Sequence, residues 1–266
     1  MEHPLSSLQC FNNVENIIPI ASGLSSECYQ VFADNQTFFA KRIASTNEVG
    51  IALHAATHGI SPHVVYHDKN WLINQFVVGE NLALASLALN RKITVALSLM
   101  AQCHQFKAKP SLLSPKRIVD DLINHDFYST HEKLALSRTA EQLIAQLTLS
   151  KHLVCCHGDL NFSNVIIDQN KHYLVDFECT HTAPAEYDLA MFIAVNNLNH
   201  SQLATIVEDY NKHSWLAVDQ ALVKHFLHFC YFINALWYHQ AYQKTKLAQF
   251  SQLEQQQWQY ISHLTD

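Results

Sequence analysis

The chain of 266 residues is poor in charge: only 15% of its side chains are charged, and it has no run of Lys or Arg. Its formal net charge is −6, from 17 Lys and Arg against 23 Asp and Glu, so it lacks the basic footprint of a nucleic-acid binder. It also lacks a clean apolar span. The longest candidate, "LALASLALNRKITVALSLMA", is interrupted by Asn90, Arg91 and Lys92. The opening "MEHPLSSLQC" has neither the basic nor the apolar region of a secretory signal, and the expectation is a cytoplasmic protein with no membrane attachment. The seven cysteines are odd in number and contain no C-x-x-C, so buried reduced thiols are expected instead of a disulfide framework or a zinc ribbon. Histidine is abundant, at 18 residues, and "HAATH" sets His54 and His58 one helical turn apart. That pair lacks the Glu of H-E-x-x-H and an obvious third ligand, so a solvated helix face is expected there. What the chain does have is apolar material, 48% of its residues, enough for one large domain or two lobes sharing a cleft.

The first 80 residues read as strand-rich. "NIIPIASG", "ECYQVFAD" and "TFFAKRI" are β-branched and aromatic runs, and the polar turn Asp34-Asn35-Gln36 between the last two predicts a hairpin. From Ser45 to Gly59 the apolar spacing becomes helical, with Val49, Leu53 and Ala56 on one face and Gly59 as the stop. "VVYHD" and "WLINQFVV" then read as another strand pair around Lys69-Asn70. After Gly79 the pattern predicts helices at "ITVALSLMAQCHQF", near 115–129 and at 132–149, then a strand–loop–strand–turn–strand segment, then helices from Pro184 onward. The expected organisation is α+β. A small antiparallel lobe with one helix covers residues 1–78, a larger helical lobe covers 79–266, and a short hinge lies near Val77–Glu80.

Within the strand–loop–strand segment, "HLVCCHGDLNFSNVIIDQNKHYLVDFE", Asp159 and Asn164 are five residues apart and Asp176 follows twelve later. Oxygen-bearing side chains at strand ends gather around hard cations such as Mg²⁺, which takes few protein ligands and leaves the others to phosphate and water. The same residue types are common turn formers. The spacing from Asp159 to Asn164 equals that of the catalytic loop H-R-D-x-x-x-x-N, in which the Asp accepts a hydroxyl proton.

"HGDLNFSNVI…YLVDFE…YDLA" resembles the signature of the aminoglycoside phosphotransferase/choline kinase superfamily, relatives of protein kinases. "FFAKRI", "NEVGIALHAATHGISPHVVY", "WLINQFVVGE" and "MAQCHQF" extend the likeness over roughly residues 18 to 195, with Cys103 where that family usually has Leu. The resemblance implies a bilobal protein-kinase-like fold that uses ATP and Mg²⁺ to phosphorylate a small-molecule alcohol. It implies that Lys41 meets the α/β phosphates and is held by Glu48, that Asp159 is the catalytic base, and that Asn164 and Asp176 bind the metal. His157 and Asp188 are implied as loop braces, and Gln75 and Val77 as hinge contacts to the base. Ser22, Gly23 and Ser25 stand in the phosphate loop, although "ASGLSSECYQV" holds a single glycine and is no Gly-rich loop. Gln75 replaces a frequent acidic residue, which leaves ATP and GTP undistinguished, and no glycine follows Asp176 closely.

The acceptor is expected against the helical lobe. "HFCYFINALWYHQAY" places Tyr231, Trp237, Tyr238 and Tyr242 on one helix, with Tyr231 and Tyr238 on a shared face. These aromatics suit a cationic alcohol such as choline or thiamine, both substrates in the resembled family, or they are packing core. Glu178 faces either acceptor or solvent. The scarcity of acids in the last third argues against a polyamine sugar as acceptor, which is the alternative. A nucleotide-binding protein without turnover would have lost Lys41, Asp159 or Asp176, and all three are present.

Overall fold

The computed structural model describes residues 3–20, 26–43, 46–147, 152–169 and 171–264. Five antiparallel strands come first: β1 (Val14–Ile20), β2 (Cys28–Ala33), β3 (Gln36–Arg42), β4 (Val64–His67) and β5 (Trp71–Gln75), in spatial order β1-β2-β3-β5-β4. Pro19 cannot donate to a ladder and accordingly lies on the edge strand β1. Asp34 and Asn35 take φ of 52° and 59° between the paired Ala33 and Gln36. Two left-handed residues match the twist of the flanking strands, which explains why this Asp-Asn pair makes the hairpin. The Asp34 carboxylate also accepts the backbone N–H groups of Asn12 (3.0 Å) and Asn13 (2.9 Å), tying down the N-terminal segment.

The two-residue period of the strands gives the sheet two different faces. Val31, Ala33, Phe38, Ala40, Trp71 and Ile73 are buried beneath Leu5 and Phe11 of the N-terminal segment. The alternate residues Phe39, Lys41, Leu72 and Asn74 face a cleft. Between β3 and β4 runs α1 (Thr46–Thr57), which buries Ile51, Ala52 and Ala55. It stops at Gly59 (φ 73°), where Gly59 N–H bonds Ala56 O and Ile60 N–H bonds Ala55 O, the paired reverse bonds of a glycine C-cap.

The remaining two thirds begin with β6 (Glu80–Asn81), α2 (Leu89–Cys103), α3 (Pro115–Ile123) and α4 (Thr130–Ala145). Short strands β7 (Leu153–Cys156), β8 (Val165–Asp168), β9 (Lys171–Leu174) and β10 (His181–Pro184) follow, and then α5 (Ala185–Val195), α6 (Leu203–His213), α7 (Gln220–Thr245) and α8 (Ala248–Leu264). β6, β8 and β9 form one small sheet, and β7 pairs with β10 in another. The expected helix to residue 129 ends at Ile123, and the next starts at Thr130. A capping box explains this: Ser129 Oγ accepts Glu132 N–H while the Glu132 carboxylate accepts Ser129 N–H. The strand expected over 71–78 ends at Gln75, and β10 was not evident in the sequence. Nearly every side chain of α5 is buried, between the strand pair β7 and β10 and helix α7. No described helix is long and apolar enough to cross a membrane.

Gly79 joins the two parts of the molecule. A Cβ at this position would stand 2.4 Å from Ile167 O, so β8 can approach the connection only because a glycine is there. Gly79→Ala is expected to destabilise the protein by about 1–3 kcal/mol, as other overpacked sites do. Urea denaturation measures this, and an unchanged midpoint would show that the two parts do not depend on the close approach.

Candidate active site

Lys41 stands on the cleft face of β3, and its ammonium reaches three carboxylates. Nζ lies 2.6 Å from Glu48 Oε1, 2.6 Å from Asp176 Oδ1 and 3.0 Å from Glu178 Oε2. Glu48 comes from the first turn of α1, and the other two from the chain just after β9. Burial alone would pull the lysine pKa down. The charges of Asp176 and Glu48 outweigh that and hold it above the ordinary lysine range. Burial raises the Glu48 pKa against the pull of the same lysine, and its Oε2 is buried without a partner among the described residues. Glu178, partly buried, binds Lys41 and accepts a hydrogen bond from Ser26 Oγ (3.3 Å).

The loop after β7 is held from beneath by Asp188 on α5, which is fully buried. Its two oxygens accept the backbone N–H groups of His157 (2.9 Å) and Gly158 (2.8 Å). The carboxylate also accepts His104 Nε2–H at 2.9 Å. Burial would raise the Asp188 pKa, but the hydrogen bond and electrostatic pull of His104, then the nearby His157 and the Gly158 amide, bring it below the usual carboxylate value. Gly158 turns the chain at φ 79°, with Cys179 O only 2.1 Å from where a Cβ would sit. His157 is buried, and burial lowers its pKa. Its Nε2 donates to Val175 O (3.0 Å) while Nδ1 accepts Asp159 N–H (3.3 Å), the bonding of a neutral imidazole.

The same loop holds Asp159 by its own bonds. Asn164 Nδ2 donates to Asp159 O (2.8 Å) and Asn161 Nδ2 to Asp159 Oδ2 (3.3 Å). Asn164 O in turn accepts Val175 N–H (3.0 Å), so Asn164 and Asp176 sit side by side at the two ends of the β8–β9 hairpin. Asp176 holds φ at 67°, a left-handed conformation uncommon for a residue other than glycine and one that concentrates at functional sites. Desolvation, reinforced by the Asp176 charge, pushes the Asp159 pKa up to about 7.

Beside this group lies a cleft of about 260 Å³ walled by Ile20, Ala52, Leu72, Phe76, Val77 and Ile166, with Lys41, Glu48 and Asp176 at one end. Gln75 and Val77 both line it. Ser22, Gly23 and Ser25 lie outside the described residues. Of the aromatic candidates, Tyr238 is the one electrostatically linked to Asp159: burial, then the Asp159 charge, raise its phenol to about 12. Trp237, 43% exposed, packs on Tyr238 and on Phe250. Tyr231 is not at the site. It is fully buried against Tyr260 of α8, with ring centroids 5.0 Å apart, and belongs to the core. His54 and His58 pack their rings on Phe106, and no metal-ligand cluster among the described residues includes them. Ser26, Asn161 and Tyr210 were not singled out from the sequence. Each acts through a partner distant in the chain or through a local bond that many loops make.

A strand-rich lobe carrying a paired lysine, set over a helical lobe with an Asp–Asn–Asp loop, defines a kinase-type phosphotransferase. Residues 16–220 match the model of the phosphotransferase enzyme family, and the chain belongs to that family. No curated protein matches the chain by sequence at a significant level. Among solved structures, the choline kinase LicA from Streptococcus pneumoniae superposes with a TM-score of 0.75 at 16% identity, covering 95% of each chain. A choline/ethanolamine kinase family protein from Mesorhizobium loti gives 0.72 at 15% identity, covering 98% of this chain and 92% of that one. Spectinomycin phosphotransferase, solved with ADP and spectinomycin, gives 0.61 at 17% identity, covering 96% and 90%. At these identities the likeness establishes the fold.

Asp188→Ala removes the acceptor of two loop N–H groups and of His104 at once. A loss of about 3–5 kcal/mol in unfolding free energy is expected, the usual cost of stranding a buried charged group's partners. Thermal and chemical denaturation read it, and a loss under about 1 kcal/mol would mean that the loop is held by other contacts.

Proposed function

We propose that the protein transfers the γ-phosphoryl group of ATP to a hydroxyl of a small molecule, in a reaction that depends on Mg²⁺. The observation carrying this reading is the approach of Lys41 to Asp176, 135 residues apart in the chain and 2.6 Å apart in space, beside a loop that presents Asp159. In this reading the lobes divide at residues 78 and 79 with the nucleotide between them. Gln75 and Val77 contact the base, and the loop of Ser22, Gly23 and Ser25 covers the phosphates. Lys41 binds the α/β phosphates, and Glu48 keeps its ammonium from wandering. His157 and Asp188 brace the loop.

The donor set fits a hard divalent cation. The oxygens of Glu48, Asp176 and Glu178 lie within 4.8 Å of one another, and at present the Lys41 ammonium is the positive charge among them. Asn164 and Asp176 would hold the metal, and Glu178 stands beside them. When bound, Mg²⁺ neutralises charge on the phosphates. Phosphoryl transfer passes through a loose transition state, so Asp159 serves chiefly to orient the acceptor hydroxyl and take its proton. For the acceptor, Tyr238, whose phenol feels the Asp159 charge and which packs with Trp237 and Phe250, favours a compact cationic alcohol such as choline or thiamine over an aminoglycoside. ATP use and seven free thiols suit a reducing compartment, so a cytoplasmic location belongs to the same reading.

Asp159→Ala is expected to lower kcat by about 10²–10⁴-fold while the Kd for Mg-ATP stays within a few-fold, measured by coupled ADP release and by calorimetry. Undiminished turnover would remove Asp159 as the base. The carboxylate accepts a proton only when ionised, and it is protonated below about pH 7. The wild-type kcat/KM is therefore expected to fall about tenfold per pH unit on the acid side of that value and to level off above it. A profile flat from about pH 5.5 to 8 would contradict the assignment.

A further inference from the structure

A second cavity, of about 900 Å³, lies behind the catalytic loop between the end of α2, β7 and the C-terminal end of α6. It shares no lining residue with the nucleotide cleft. Its size is that of small-molecule sites. Its lining is selective in charge: Lys107, Lys109 and His213 border it, and no Asp or Glu does, in a chain where acids outnumber bases. Neither lysine forms an ion pair among the described residues, and His213 has only Asp209 of its own helix, at 4.0 Å. Beside these basic side chains Trp215 and Leu112 stand 65% and 66% exposed, and Phe106 and Val154 form an apolar wall.

This cavity is wired to the catalytic loop. Ser214 on its wall donates to Tyr210 OH (3.1 Å), and Tyr210 OH meets His104 Nδ1 at 2.6 Å. His104 Nε2–H donates to Asp188, which holds the backbone of His157 and Gly158. Ser214, Tyr210, His104 and Asp188 thus form one continuous chain of hydrogen bonds from the cavity wall to the loop backbone. Tyr210, His104 and Asp188 are all fully or almost fully buried, so the inner links are shielded from water, while Ser214 is half-buried at the cavity wall.

We propose that this cavity is a second ligand site for a small amphipathic anion, a carboxylate, sulfonate or phosphate carried on an aromatic or alkyl group. The charged end meets Lys107, Lys109 and His213, and the apolar part lies against Trp215 and Leu112. Its occupancy biases the nucleotide cleft through Ser214, Tyr210, His104 and Asp188. The coupling rests on the nucleotide reading of that cleft; binding of the anion itself does not.

The probe is the aromatic anion 8-anilinonaphthalene-1-sulfonate, titrated by fluorescence against the full chain, with the uncharged N-phenyl-1-naphthylamine as comparator. One saturable site per chain is expected, retained under excess Mg-ADP, with the neutral dye at least about tenfold weaker, the value of one charge-assisted contact. The double variant Lys107→Ala/Lys109→Ala and the single variant Trp215→Ala should each weaken the anion about fivefold or more, without moving the unfolding midpoint. Displacement by Mg-ADP, equal binding of the neutral dye, or undiminished binding by these variants overturns the site. For the coupling, the anion should shift the Kd of Mg-ADP about fivefold or more in the wild type and not in Tyr210→Phe, which still binds the dye. An equal shift in both proteins, or none in the wild type, overturns the relay while leaving the site standing. Absence of phosphoryl transfer to any acceptor would count against the proposed reaction alone.

Discussion

One buried ammonium holds the two halves of this protein in register. Lys41 comes from the sheet of the first lobe, and Asp176 and Glu178 come from the hairpin end of the second. Three carboxylates gathered so closely would repel one another and lose their hydration. A single cation among them makes the arrangement tolerable. The sheet's alternation brings Lys41 to the cleft side and sends its neighbours Ala40 and Phe38 to the opposite core, so the lysine's place follows from strand parity. Glu48 is buried behind it and fixes the ammonium from the α1 side. The result is a cation-held oxygen cluster beside an apolar cleft.

A second constraint sits beneath the first. Asp188 gathers His157, Gly158 and His104 around one desolvated carboxylate and so converts a loop into a rigid platform. The platform leaves Asp159 recessed beside Asp176, and burial, reinforced by that neighbouring charge, brings its pKa near neutrality. Position and proton affinity thus share one cause. The same platform extends outward through His104 and Tyr210 to a cavity that the proposed reaction does not use.

The parts of the site legible in the sequence are those set by short-range geometry. Asp159, Asn164 and Asp176 could be grouped from their spacing because a 3-10 turn at Phe162–Asn164 and the β8–β9 hairpin make that spacing a local property. The Asp34-Asn35 turn and the Gly59 stop were readable for the same reason: each is a backbone conformation that few residue types accept. Glu178 was not readable, because its partner Lys41 is 137 residues away and nothing near Glu178 points to it. Tyr231 misled because a seven-residue spacing puts it on the face of Tyr238, whereas Tyr260 of α8 buries it completely and Tyr238 meets only the start of α8, at Phe250, where it feels the Asp159 charge. Asp188 was legible as a brace but not its link to His104, which depends on how α2 packs under β7.

The central claim is that these groups move a phosphoryl group onto an alcohol. Its most direct measurement is ADP release from Mg-ATP in the presence of choline, ethanolamine, thiamine, homoserine, simple sugars or aminoglycosides, with phosphorus NMR of the products. The account predicts a selective rise in ADP release with one acceptor class and a new phosphomonoester on that acceptor. ADP release that no acceptor accelerates, from a protein whose melting temperature nucleotide still raises, would contradict it and leave a nucleotide-binding protein without turnover.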